Sequence, residues 1–310
     1  MPSFPLSRHL KNSNFMFLAA FLLGLIFGNY ASLLKEFLLP ALVLIMSLST
    51  AQISPVQLTQ VRQYIRDILL VFVINYLFLS GLILLANHLM IRDHDLYVGF
   101  VVMAAIPSAV AVLPFTYLLK GDMRVSLFGS IGLYLLALVM APLISFTFLN
   151  VGRIDIPRLA YALILLIILP FLVSRILLKW DAFHRVKDHT GILVNLAFFL
   201  IIYVVIGMNR STFLHHFDTL ILVSSIAFLR TFFSGHLVDF LSRRAGVDRE
   251  RRMSYVLFGS FKNLGLAAAI AVVLFTERAA IPSAVTIPFE ILFFVWFNYF
   301  QRRWGSLQNL

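Results

Sequence analysis

The sequence predicts an all-α polytopic membrane protein: ten transmembrane helices in two inverted five-helix repeats, with helices 4 and 9 broken. Three observations carry that prediction. The chain is 61% hydrophobic and only 13% charged, where soluble domains run at about 45–50% and about 25%. Apolar stretches close to 20 residues long, the length that crosses a bilayer, recur from end to end. Finally, the two stretches interrupted by proline, glycine and charge are the fourth apolar stretch of each half.

Taken in order, residues 1–13 are a short basic leader (Arg8, Lys11) that superficially resembles a secretory signal. No small-x-small cleavage site follows, so residues 14–30 read as the first span. Further spans are expected at 37–53, 67–89, 97–119, 125–149, 157–178, 190–208, 218–240, 253–275 and 280–300. No alternation of period two appears, which argues against a β-barrel.

Seventeen of the 25 lysines and arginines fall in loops on the side of the N-terminus, six on the other side, and two, Arg230 and Lys262, inside spans. Positive charge marks the cytoplasmic side, so both termini are expected there. The same bias accounts for the net charge of +11 as a topology signal, with the bilayer as partner and nucleic acid excluded. Arg243 to Arg252 are placed to touch anionic lipid. The absence of cysteine removes disulfides, thiolate metal sites and cysteine nucleophiles. No nucleotide-binding loop and no common hydrolase motif is present, so neither a cofactor nor an enzymatic activity is expected.

Ten spans divide near Val151 into halves 1–150 and 151–310, and five being odd, the halves have opposite membrane orientation. The fourth span of the first half reads AAIPSAVAVLPFTYLLKGD, with Pro107 and Pro114 seven residues apart. Proline removes a backbone hydrogen bond and clashes with the preceding turn, so this span should break or kink. Its counterpart in the second half contains GSFKNLGLAAAI, Gly259 to Ile270. Interrupted spans at matching places point to a transporter whose site lies where the broken helices cross.

Lys262 is the centre of that expectation. An ammonium at bilayer depth costs about 2.5–3.5 kcal/mol on insertion scales, and this one is too deep in its span to reach the interface easily. It is a candidate to bind a substrate anion directly or to carry a proton. Ser260 and Asn263 flank it, as Pro107 and Ser108 mark the first break. Arg230, in the middle of the eighth span, must find a carboxylate, carbonyls or an anion. Glu290 follows Pro288 in the tenth span, as counter-ion to Arg230 or Lys262 or as a proton carrier. Asn75 and Asn195 either line a site or join helices, and His236 is placed to bond across helices. His215 and His216 share a short loop with little to suggest a metal. Asp67 and Asp239 fall at span ends.

At these stretches the chain resembles the bile acid:sodium symporter family, within the bile/arsenite/riboflavin transporter superfamily. GSFKNLGLAAAIAV is similar to that family's second crossing helix, and AAIPSAVAVLPFTYLLKGDMRVSLFGS to its first. PALVLIMSLSTAQISPVQL is similar to its second span and the loop after it. The resemblance implies panel and core domains drawn from both repeats, and transport of organic anions by alternating access, often with sodium. It also implies a divergent prokaryotic-type member in a bacterial or archaeal inner membrane. The family's sodium-binding glutamate, however, aligns with Phe258 and its neighbouring glutamine with Lys262. A serine-asparagine pair aligns with Val112 and Leu113. What survives is Ser126 and Ser130 in the fifth span, Asn263, and Asn75 in place of a third-span amide.

Sodium needs several hard oxygen ligands. Phenyl for carboxylate and ammonium for amide remove ligands and add repulsion of about 4 kcal/mol at 4 Å and an effective dielectric of 20. The expectation is a secondary transporter of a small organic anion, such as a carboxylate or sulfonate, coupled to protons or uncoupled. A sodium-coupled symporter is the alternative. Arsenite-exporting relatives use a membrane cysteine, which is absent here. A membrane-embedded enzyme would need paired catalytic groups, and only Lys262, Arg230 and Glu290 offer themselves. A sensor would be expected to append a signalling domain.

Overall fold

The computed structural model of the chain describes residues 13–51, 61–149, 169–170, 172–179 and 189–307. Among these residues every regular element is helical. The helices are α1 (Ser13–Phe27), α2 (Leu38–Ala51), α3 (Arg62–Met90), α4 (His94–Ala105), α5 (Val112–Leu118), α6 (Met123–Phe148), α7 (Thr190–Met208), α8 (Phe217–Arg244), α9 (Arg249–Phe258), α10 (Leu264–Leu274) and α11 (Ile281–Leu307). Six helical runs among the described residues are long and apolar enough to cross a membrane. The basic leader and most of the expected sixth span, 157–178, lie outside the described residues.

The first apolar run, Phe15–Leu48, has 34 residues. At 1.5 Å per residue that is about 50 Å, too long for one straight crossing of a hydrocarbon core of about 30 Å. It doubles back through a 3₁₀ segment, Gly28–Phe37. Phe17 meets Phe198 edge-on at 5.5 Å and Gly24 and Gly28 meet Ile206 and Gly207 further along α7, while Leu48 and Ala51 pack with Leu193 and Val194 near its start. The expected first span, 14–30, is therefore three residues too long, because Gly28 already belongs to the turn.

Small residues permit this hairpin. A Cβ on Gly28 would lie 2.7 Å from the Gly207 Cα, and Gly24-x-x-x-Gly28 places both glycines on one face, as in tightly packed membrane helices. Gly28→Ala is expected to force backbone apart at a cost of about 1–3 kcal/mol, read as a lower thermal midpoint in detergent. Gly81→Ala, where a Cβ meets open space, should stay within about 0.5 kcal/mol of the parent.

Both expected breaks are present. Ile106, ahead of Pro107, takes extended backbone (φ −79°, ψ 148°), since a residue before proline is steered out of the helical region. Residues 106–111 leave the helix and α5 resumes at Val112. Pro114 causes no second break: it is the third residue of α5, in the first turn, where helix amides lack partners in any case. In the other half α9 ends at Phe258 and α10 begins at Leu264, capped by Asn263, whose Oδ1 accepts from the Leu266 amide at 3.1 Å.

Two features were not expected. The middle of α3, Val73–Ser80, and five residues of α8, Leu229–Phe233, are π-helical. The first carries Asn75 and the second Arg230.

Candidate functional site

The two breaks touch each other. The Asn263 amide donates to the Pro107 carbonyl at 2.9 Å, and the Lys262 side chain spans the junction. Its Nζ donates to Asn75 Oδ1 (2.9 Å), Ser80 Oγ (2.8 Å) and the carbonyls of Ile106 (2.9 Å) and Ala104 (3.2 Å). It also lies 4.6 Å from the centre of the Tyr76 ring. An ammonium has three protons, so four oxygens satisfy it with one bond shared. The carbonyls are free because the helix stops: Ala104 and Ile106 have no amide four residues on to accept from in regular α geometry.

The π segment sets the rest of this cage. In an α-helix Asn75 and Ser80, five apart, would face different directions, whereas a π turn closes i to i+5. Ser80 Oγ accordingly reaches the Asn75 carbonyl at 3.1 Å and the Ala104 carbonyl at 2.6 Å. The Asn75 amide nitrogen donates to the Phe258 carbonyl at 2.8 Å. One side chain thus ties the last carbonyl of α9 to the lysine that follows it.

A second set of charges holds the same break from its other side. Arg230, wholly buried, donates from Nη1 to Glu290 Oε1 at 2.6 Å and from Nη2 to the Ser260 carbonyl at 2.8 Å. Glu290 Oε1 also accepts from the Lys262 backbone amide at 3.0 Å. The carboxylate pairs with Arg230 and with the Lys262 main chain, while the Lys262 ammonium turns the opposite way. Glu290, one of the partners expected for Lys262, does not meet the ammonium. Oxygens of α3 and of the first break surround it instead.

The remaining candidates separate into those at the junction and those away from it. Asn263 Nδ2 donates to Tyr134 Oη at 2.9 Å and lies 3.9 Å from the Met46 sulfur. Tyr134 Oη in turn donates to the Ser108 carbonyl at 3.3 Å. The hydroxyls of Ser108 and Ser130 are buried without a hydrogen-bond partner among the described residues. Ser126 Oγ is 2.6 Å from Thr116 Oγ1, joining α6 to α5. Ser260 Oγ bonds back to the Val256 carbonyl at 2.7 Å. Phe258 presses its ring on α6: a Cβ on Gly129 would be 2.8 Å from it. Asn195, buried on α7, is not among the partners of Lys262. His236 accepts from Trp296 Nε1 at 3.1 Å. Among the described residues no cluster of histidines and acids suits a metal ion.

Tyr76, Ser80, Thr116 and Tyr134 belong to the junction and were not singled out from the sequence. Serines and tyrosines are ordinary in apolar helices, and no spacing rule marks a π turn in advance.

Comparison with curated proteins found no match. A family model does match, over residues 14–294, nearly the whole chain. With helical runs long and apolar enough to cross a membrane and two interrupted helices meeting in the interior, the chain belongs to the SBF-like CPA transporter family, related to the bile acid:sodium symporters.

Proposed function

We propose that the protein is a secondary transporter of a small organic anion, coupled to protons or uncoupled, and independent of sodium. Its ten spans form two inverted five-helix repeats with both termini in the cytoplasm, and a panel domain rocks against a core domain around the crossed breaks. The observation that carries this reading is the Lys262 ammonium, held by four oxygens and an aromatic ring where the breaks meet. It is a cation tethered to the chain, and it supplies at the junction the positive charge that a sodium ion would otherwise bring. The Phe258 ring, aligned with the family's sodium-binding carboxylate, supports the same conclusion.

Charge balance supports the anion. Lys262 and Arg230 are positive and Glu290 is negative, so the buried junction carries formal positive charge in excess. A mobile anion compensates it favourably in a medium where charge is weakly screened. A proton enters the cycle most directly through Lys262, whose ammonium alone bridges α3 and both breaks.

The test is uptake into proteoliposomes of a panel of small carboxylates and sulfonates. Flux is expected to persist when choline replaces sodium and to respond to an imposed pH gradient if coupled. Strict dependence on sodium would sink the reading and favour a symporter with sodium ligands elsewhere in the chain.

A further inference from the structure

The described helices form two bodies, and their polar links are unevenly placed. Helices α1, α2 and α7 hold one another through the glycine contacts, through Tyr203 Oη donating to the Phe27 carbonyl at 2.8 Å, and through Arg210 donating to Asn29 at 2.6 Å. Helices α3–α6 and α8–α11 form the other body. At one end of that second body a dense network stays within it: Arg251 lies 3.6 to 4.0 Å from Asp67, Asp248 and Asp122, and Arg243 and Arg252 both reach Asp239. Among the described residues one ion pair joins the two bodies, Lys35 Nζ to Glu277 Oε1 at 3.3 Å, at the opposite end.

The surroundings of Glu277 distinguish this pair from a chance surface contact. Its neighbour Arg278 bonds Asp93 at 3.0 Å, and Asp93 is the N-cap of α4, accepting from the Leu96 amide. Ala279 and Ala280, next in sequence, are fully buried, with the Ala279 carbonyl seated on Gly99 of α4. The segment 276–280 is thus clamped to the second body by Arg278 and the two alanines, and it extends Glu277 across to the 3₁₀ segment that carries Lys35. A rigid strap with one charged end fits a catch, because separating the bodies at this end breaks one ion pair and leaves the clamp intact.

We propose that Lys35 and Glu277 form an ion-pair latch that holds the two bodies together at this end of their interface. The proposal rests on the alternating-access reading. It explains why the ion pair lies on the outer side of the contacts between bodies, where Met46 approaches Asn263 and Phe198 approaches Gly265. Both partners are partly exposed, so the latch is weak by design and sensitive to salt.

The chain has no cysteine, so Met46→Cys places a single buried thiol at the interface between the bodies. Reconstituted protein is treated with a membrane-impermeant maleimide from each side in turn. Lys35→Gln/Glu277→Gln is expected to raise the labelling rate from the Lys35 side about two- to fivefold, the range an exposed ion pair supports, and to lower it from the other side. The exchange Lys35→Glu/Glu277→Lys should return both rates to those of Met46→Cys alone. The latch is wrong if neutralisation leaves both rates unchanged, or if the exchanged pair labels as fast as the neutralised one. A thiol labelled equally from both sides in every variant would remove the alternating-access reading and the latch with it.

Discussion

Lys262→Ala is expected to unfold at a distinctly lower temperature than the parent and to regain part of the loss in sodium but not in choline. The ammonium is the donor for Asn75 Oδ1, Ser80 Oγ and the Ala104 and Ile106 carbonyls. Its removal leaves a polar hollow in which Asn75 Oδ1 and the Ile106 carbonyl lose their donor while the Ala104 carbonyl keeps the Ser80 hydroxyl, and one buried unsatisfied group costs about 1–3 kcal/mol. Water entering the hollow recovers some of this, so a net loss of about 3 kcal/mol is expected. Four oxygens around a space vacated by a cation also offer sodium a place. A bound ion at ten times its dissociation constant would restore about 1.4 kcal/mol. Uptake of the anion, where a substrate has been found, should fall sharply or become sodium-dependent. If Lys262→Ala transports and melts as the parent does in both salts, the tethered-cation reading is wrong.

Breaking the Arg230–Glu290 pair from one side should cost more than removing it whole. In Glu290→Gln the guanidinium remains fully buried with its counter-charge gone, and such uncompensated charges cost about 3–5 kcal/mol. In Arg230→Met/Glu290→Met no charge is stranded. What remains is the Lys262 amide without its acceptor and the Ser260 carbonyl without its donor, a loss that the buried methionines offset, because replacing a buried ion pair by apolar side chains is often neutral or stabilising. The double variant is therefore expected to be the more stable of the two in thermal unfolding, and to transport poorly, since the second break then loses the side chains that hold the Lys262 amide and the Ser260 carbonyl. A double variant less stable than Glu290→Gln would show that the pair is not a unit.

Much of the architecture could be read from residues alone, and the reasons are particular. Lipid denies the backbone any partner outside its own helix, so apolar stretches of sufficient length report spans directly. Proline cannot occupy a helix interior freely, so Pro107 announced the first break, and the glycines with Lys262 announced the second. Pro114 adds no break of its own because a proline is harmless in a first turn, and where α5 begins depends on where the break before it ends.

The interior charges show the limit most clearly. The cost of ionised groups in hydrocarbon marks Lys262, Arg230 and Glu290 as needing partners, and no folded structure is required to see it. Which partners they take is another matter. Two of the four oxygens on the ammonium are main-chain carbonyls, which every residue carries and no sequence distinguishes. A third, on Ser80, comes into line with Asn75 only through a π turn.

The sequence by itself determined that this chain crosses the membrane repeatedly, that two of its helices are interrupted, and that three charges lie within. Only the tertiary structure decided that Glu290 takes Arg230 and leaves the Lys262 ammonium to the first break. Span hydrophobicity is a sum over residues and survives any arrangement, whereas a hydrogen bond depends on where two helix ends are brought together.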